Sequence, residues 1–266
     1  MVRRWTISLA GLALVTGSLA VTGPAMATAE HHVPGSAVSQ LVQPGGPFHA
    51  TPGTHTVMAG GHRISYSTNW SGYAVIGGTF STATASWTQN AITCTSGDGQ
   101  TDMSPWVGLD GFSNNTVEQT GSSGDCSGAT RSYYAWYEMF PRGVRVISKP
   151  VKPGDQFTAT VTHTGGTNYR LVLKDLTQGW TNSVTRSLNA KNASAEAVME
   201  KAAPHLTKFG TDPFTGFTVD GQPIGSYTGS PYTIEQMEIK VSGTLCDSAS
   251  GLSNNENFTT TWLNAC

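Results

Sequence analysis

From Ser65 onward the chain is a succession of short runs in which β-branched and aromatic residues interleave with Ser, Thr and Asn, each run closed by Gly, Asn, Asp or Pro. YSTNWSGYAVIG, TATASWTQNAI, SPWVGLDG, TVEQTG and RSYYAWYEMF come first, then QFTATVTH, YRLVLKDL, PYTIEQMEIKV and NFTTTWL. Runs of this length and composition read as strands, and their punctuation reads as turns. The succession predicts an all-β fold, an antiparallel β-sandwich of two packed sheets of concanavalin or jelly-roll type. One stretch departs from it. SAEAVMEKAA at 194–203 is built from Ala, Glu, Met and Lys, which favour helix, with Ser194 as a candidate N-cap, so a helix is expected there.

The N-terminal part has a different grammar. Residues 1–27 carry Arg3 and Arg4, an apolar stretch from about Ile7 to Val21 and small residues Ala25 and Ala27, the arrangement of a signal peptide. No later segment approaches the roughly 20 apolar residues of a spanning helix, so a secreted, extracellular protein without a membrane anchor in its mature form is expected. Residues 28–64 are rich in Pro, Gly and polar residues without a sustained period, and read as a propeptide or flexible leader preceding a single domain at 65–266. Five of the seven histidines fall there: His31, His32, His49, His55 and His62. They are either incidental to a flexible leader or part of a pH-released segment, since neutral His gains charge near pH 6.5.

Charge excludes some partners. With 15 Lys+Arg against 17 Asp+Glu and 12% charged residues, there is no basic stripe to grip a phosphate backbone, and no nucleic-acid partner is expected. A surface of Ser, Thr, Asn and Gly also gains little charge when carboxylates protonate, which suits acid conditions. The four cysteines, Cys94, Cys126, Cys246 and Cys266, allow three pairings as two disulfides. Cys94–Cys126 and Cys246–Cys266 are favoured because each closes a short loop. With no CxxC, no HExxH and no other tight Cys/His spacing, neither a metal nor another cofactor is expected.

Alternation indicates which side chains meet. Trp106, Gly108 and Asp110 share a face of one strand, and Tyr134, Trp136 and Glu138 share a face of another, so each strand sets an aromatic beside a carboxylate. TNWSGYA (68–74), PWVGLDG (105–111), EQTG (118–121), AWYEMFP (135–141) and AEAVMEK (195–201) resemble, in that order, the blocks of the glutamic peptidases, also called eqolisins or the G1 family. The resemblance implies a β-sandwich endopeptidase active in acid, acting on protein or peptide substrates; a monomer is expected. It implies a catalytic pair of Gln119, from the QTG block, and Glu200, the second acid of A-E-x-x-x-E. Trp70, Trp106, Asp110 and Glu138 match positions that line or support the family's cleft, and Asp125 matches a further cleft acid more loosely. Ala197 and Lys201 depart from the family pattern, which has an aromatic after the first Glu of that motif and often an acid after the second.

The chemistry of such a pair is simple. A glutamate can take a proton from water as it attacks a peptide carbonyl and return it to the leaving amine. A glutamine amide, which does not titrate, can position the water through its oxygen and donate from its nitrogen to the oxyanion. Other hydrolase signatures are missing: no GxSxG, no DTG or DSG, and only His163 and His205 in the domain. Two other readings of a sandwich with paired acids stand beside the peptidase. One is a glycoside hydrolase using Glu138 and Glu200, the other a carbohydrate-binding module stacking sugars on Trp70, Trp106 and Trp136.

Overall fold

The computed structural model describes residues 41–51, 56–57 and 62–266, so the expected signal peptide and the leader as far as residue 40 lie outside it. In chain order its strands are β1 (Thr56–Val57), β2 (His62–Ser67), β3 (Trp70–Ile76), β4 (Thr82–Thr88), β5 (Gln100–Leu109), β6 (Val117–Ser127), β7 (Thr130–Phe140), β8 (Arg142–Ile147) and β9 (Gln156–Gly165). They continue with β10 (Asn168–Asp175), β11 (Trp180–Ser187), β12 (Ser194–Glu200), β13 (His205–Leu206), β14 (Thr211–Val219), β15 (Gln222–Pro223), β16 (Thr233–Val241), β17 (Thr244–Ala249) and β18 (Phe258–Trp262). The first long strand starts at His62, inside the stretch read as leader.

Pairing arranges these strands in two layers. The first runs β8, β7, β6, β5, β12, β3, β16, β2, antiparallel throughout except where β2 lies parallel to β16. The second runs β11, β10, β9, β4, β14 and is wholly antiparallel. Strand β14 joins the layers, because its first half pairs with β18 and its second half with β4.

The layers differ in how they meet water. Strands β4 and β10 alternate buried and more open positions, the pattern of a sheet with one solvent face. Their inward residues, among them Trp87, Leu171 and Leu173, join Phe157, Phe214, Tyr73, Val107 and Leu109 in the core between the layers. Each such side chain contributes about 1.5–3 kcal/mol by burial. Strands β3, β5, β6 and β12 are instead buried nearly end to end. Their outer face carries a second apolar cluster of Trp70, Trp106, Val117, Tyr134, Trp136 and Val198, with Leu41 and Phe48 packed against it. The first layer therefore has two dry faces.

That double burial overturns the expected helix at 194–203. Residues Ser194–Glu200 form β12, hydrogen-bonded on one edge to β3 and on the other to β5. All seven residues are buried, so the intrinsic preference of Ala, Glu and Met loses to two complete ladders and packing on both faces. Cys94–Cys126 and Cys246–Cys266 are the disulfides formed.

Candidate active site

The outer face of the first layer gathers the polar residues that strand alternation assigns to it. Gln119 on β6 lies directly opposite Glu138 on β7, and its Nε2 donates to Glu138 Oε2 at 2.7 Å. Gln119 Oε1 is buried and has no hydrogen-bond partner among the described residues. Glu200 ends β12, opposite Ser104 on β5, and its Oε2 accepts from Trp106 Nε1 at 2.8 Å. Its Oε1 accepts from the backbone N–H of Gly45 at 3.3 Å. The indole of Trp106 is fixed from the far side by Trp70, edge to face at 4.9 Å and 78°. The close approach of β5 to β6 depends on Gly121. A Cβ there would lie 2.3 Å from the Pro105 carbonyl oxygen and 2.6 Å from Trp106 Cβ.

Burial governs the electrostatics of this face. Glu200 is pushed up to about 8 by burial first, then by the carboxylates of Asp102 and Glu138, while the N–H groups of Trp106 and Gly45 pull it back. Glu138 also rises to about 8 through burial, opposed by the amide of Gln119. The Glu200 environment therefore includes the Glu138 charge, which links the two ends of the face. Glu196 belongs to other surroundings, since burial and the charges of Asp110 and Glu118 hold its carboxyl well above the ordinary range. Spacing alone leaves Glu196 and Glu200 equivalent. The fold separates them.

Asp110 takes a different place from the one its strand position suggests. It lies just past the end of β5 with φ 68°, and its carboxylate accepts from the N–H groups of Lys191, Asn192 and Ala193 and from Asn114 Nδ2 at 2.6–3.1 Å. It ties down the segment that feeds β12 rather than touching Gln119 or Glu200. Asp125, two positions beyond Ser123 on the same face of β6, accepts from Val42 N at 2.9 Å. Tyr134 donates its hydroxyl to the carbonyl of that same Val42. Beneath them Ser123 Oγ accepts from Trp136 Nε1 at 2.8 Å and meets Ser104 Oγ at 2.7 Å. Asp102, Ser104 and Ser123 were not singled out in the sequence, yet a period of two from Trp106 and from Gln119 places them on this face. Trp70, Trp106 and Trp136 are each 0% exposed with residues 41–51 in place.

The fold and the family of this chain define a peptide-bond hydrolase built on a β-sandwich. Residues 68–262 match the Peptidase A4 family, and the chain belongs to it, among the glutamic peptidases. Aspergillopepsin-2 of Aspergillus niger is 27% identical over 205 residues, 68% of this chain and 73% of that protein. Scytalidopepsin B of Scytalidium lignicola is 34% identical over 113 residues, 42% of this chain and 41% of that protein. The crystal structure of scytalido-glutamic peptidase with a transition state analog inhibitor superposes with a TM-score of 0.61 at 23% identity, covering 74% of this chain and 98% of that one. For aspergilloglutamic peptidase from Aspergillus niger the TM-score is 0.51 at 26% identity, covering 61% of this chain and 99% of that one.

Proposed function

We propose that the protein is a secreted endopeptidase working in acid, with Glu200 and Gln119 as its catalytic residues. The observation that carries this reading is one buried face on which Trp106 holds Glu200 while Glu138 holds Gln119 by a single amide hydrogen. Gln119 keeps its second N–H and its unpartnered Oε1 for the reaction.

Glu200 takes the proton of a water as the water attacks the peptide carbonyl, and the protonated acid then gives it to the leaving amine. Gln119 Oε1 accepts from that water and Nε2 donates to the oxygen that becomes negative. A neutral amide keeps this role in acid, where a histidine base would be protonated. Trp106 and Glu138 act as positioning residues, one aiming the carboxyl and the other the amide. Burial, with residues 41–51 in place, is the first cause that raises Glu200. Opening the face to solvent returns the carboxyl toward its ordinary range, so its ionised form becomes available in weak acid.

Hydrolysis of a denatured protein from pH 2 to 7, beside Gln119→Ala and Glu200→Gln, tests the assignment. Acid activity lost by about 10²-fold or more in both variants, each folded, is the expected result. Activity that survives both substitutions would overturn it.

A further inference from the structure

Strand β8 carries an irregularity that changes which way its arginines point. Arg145 lies opposite Tyr137 and Arg142 opposite Met139, so Gly143 and Val144 together face the single residue Glu138 of β7. In a regular strand, residues three apart point to opposite faces. This β-bulge instead sets Arg142 and Arg145 on the face of Tyr137 and Met139, toward the gap between the layers, while Val144 joins the apolar cluster of the outer face. Arg186 reaches the same gap from the second layer, because on β11 it lies opposite Tyr169, an inward residue of β10.

Tyr137, Met139, Arg142, Gly143, Arg145 and Arg186 line a cavity of about 370 Å³ at this end of the sandwich. Two of its guanidiniums are set in place. Arg142 Nη1 donates to the Ser187 carbonyl at 2.8 Å, and Arg186 Nη2 donates to the Tyr137 hydroxyl at 2.8 Å, its guanidinium 5.2 Å from the centre of that ring. Arg145 makes no hydrogen bond or ion pair among the described residues, and none of their carboxylates pairs with any of the three arginines. Guanidiniums gathered without an acid repel one another, which costs the fold stability. An oxyanion relieves that repulsion, and an arginine fork meets a carboxylate with two parallel N–H bonds.

The strand that carries Arg142 and Arg145 selects among acidic ligands. β8 pairs with β7 alone, so its other edge leaves backbone N–H and C=O groups open among the described residues. An extended peptide can add to such an edge, and its alternate side chains then share one face about 7 Å apart. Three charges in a cavity suit a short acidic segment of this kind, where a phosphate backbone needs a longer basic track. Glu138, which holds Gln119, lies opposite the bulge, so a peptide seated on β8 runs close beside the candidate active site.

We propose that the cavity between β8 and β11 binds the carboxylates of an acidic peptide segment laid in extended form along the free edge of β8, and that it selects substrates carrying such a segment. The selection rests on the peptidase reading above, whereas the binding does not.

The full secreted chain, as wild type and as Arg145→Gln, is titrated by calorimetry at low salt and pH 5, where a free glutamate is largely ionised. The probes are two blocked pentapeptides, one with glutamate and one with glutamine at its second and fourth positions. Wild type should bind the glutamate peptide about tenfold or more tightly than the glutamine peptide, through charge-assisted hydrogen bonds. That preference should shrink in Arg145→Gln and as salt is raised. In hydrolysis of a cleavable peptide joined to each pentapeptide, the ratio of kcat/KM for the glutamate over the glutamine form should fall about tenfold in the same variant. Equal binding of the two pentapeptides, a glutamate preference that survives Arg145→Gln, or hydrolysis indifferent to the segment overturns the inference. Displacement of the glutamate peptide by dextran sulfate, which then binds more tightly than the peptide at equal charge, assigns the cavity to an anionic polysaccharide and overturns the peptide as its occupant. A glutamate preference in binding, lost in Arg145→Gln, with no hydrolysis of any substrate keeps the site and overturns the peptidase reading instead.

Discussion

Replacing Glu118 with glutamine tests whether burial of acids sets the pH range of this fold. Glu118 neighbours Gln119 on β6 but points to the opposite face, is fully buried, and lies beside the Asp110 carboxylate. Burial first, and the Asp110 charge second, raise its pKa from 4.5 to about 9. The folded protein therefore keeps a proton that the unfolded chain releases near 4.5. The stabilisation from this group is complete below 4.5 and is lost as the pH rises through 9. At pH 7 the loss covers about 2.5 pH units at about 1.4 kcal/mol each, or about 3 kcal/mol. Glutamine has nearly the shape of the protonated acid, cannot ionise, and can donate to Asp110. Relative to wild type, Glu118→Gln should thus gain about 3 kcal/mol on going from pH 3 to pH 7. For a domain of roughly 200 residues that opens a Tm gap of about 6–12 °C. Calorimetry and urea unfolding of both proteins at pH 3, 5 and 7 measure it. An offset between variant and wild type that is the same at pH 3 and pH 7 would refute the reasoning, because Glu118 would then ionise alike in the folded and unfolded chain.

Three further substitutions probe the support of the site. Glu138→Ala removes the acceptor that aims Gln119, so kcat should fall about 10- to 100-fold with KM little changed, and Glu138→Gln, which keeps a carbonyl acceptor, should recover part of it. Asp110→Ala leaves the N–H groups of Lys191, Asn192 and Ala193 without their carboxylate, and thermal unfolding should show a loss of at least about 2 kcal/mol. Gly121→Ala places a methyl against the backbone of Pro105 and the Cβ of Trp106, so β5 must shift. A loss of about 1–3 kcal/mol in denaturant unfolding, together with reduced activity, is expected.

The strands were legible where one face meets water. In β4, β9 and β10 the alternation in TATASWT, QFTATVTH and YRLVLKD matches the alternation of burial closely. β12 was illegible for the opposite reason. Its seven residues are buried on both faces, so no period of two survives, and Ala, Glu and Met then signal helix. The order of motif blocks singled out Gln119, Glu138, Trp106 and Glu200, and the structure brings Gln119 against Glu138 and Trp106 against Glu200. The segment at 41–51 left almost no such trace. Its hold on the cleft runs through the N–H groups of Val42, Gly45 and Phe48 and the carbonyls of Val42 and Pro47, and a main-chain contact leaves no signature beyond a glycine where space is short. Of the leader histidines, His49 lies on this segment, while His31, His32 and His55 fall outside the described residues.

One physical cause joins the proposed site to the stability of the fold in acid. A face dry enough to strengthen a carboxyl–amide pair also raises the neighbouring acids, and burial is the largest cause for Glu200, Glu138, Glu118, Asp102 and Asp247 alike. Each of these groups binds its proton more tightly in the folded chain than in the unfolded one, so together they stabilise the fold in acid. That stabilisation drains away from about pH 4 upward, through about 6 for Asp102, about 7 for Asp247 and about 8–9 for the three glutamates. On the proposed reading, a loss of activity toward neutral pH would have two separable origins, the protonation state of Glu200 and the stability of the layer that carries it. A Glu118→Gln chain distinguishes them, since it strengthens the layer on the face away from the site. If its activity reaches to higher pH along with its Tm, stability sets the upper limit. If Tm rises and the pH profile of kcat/KM stays where it was, ionisation at the site sets it.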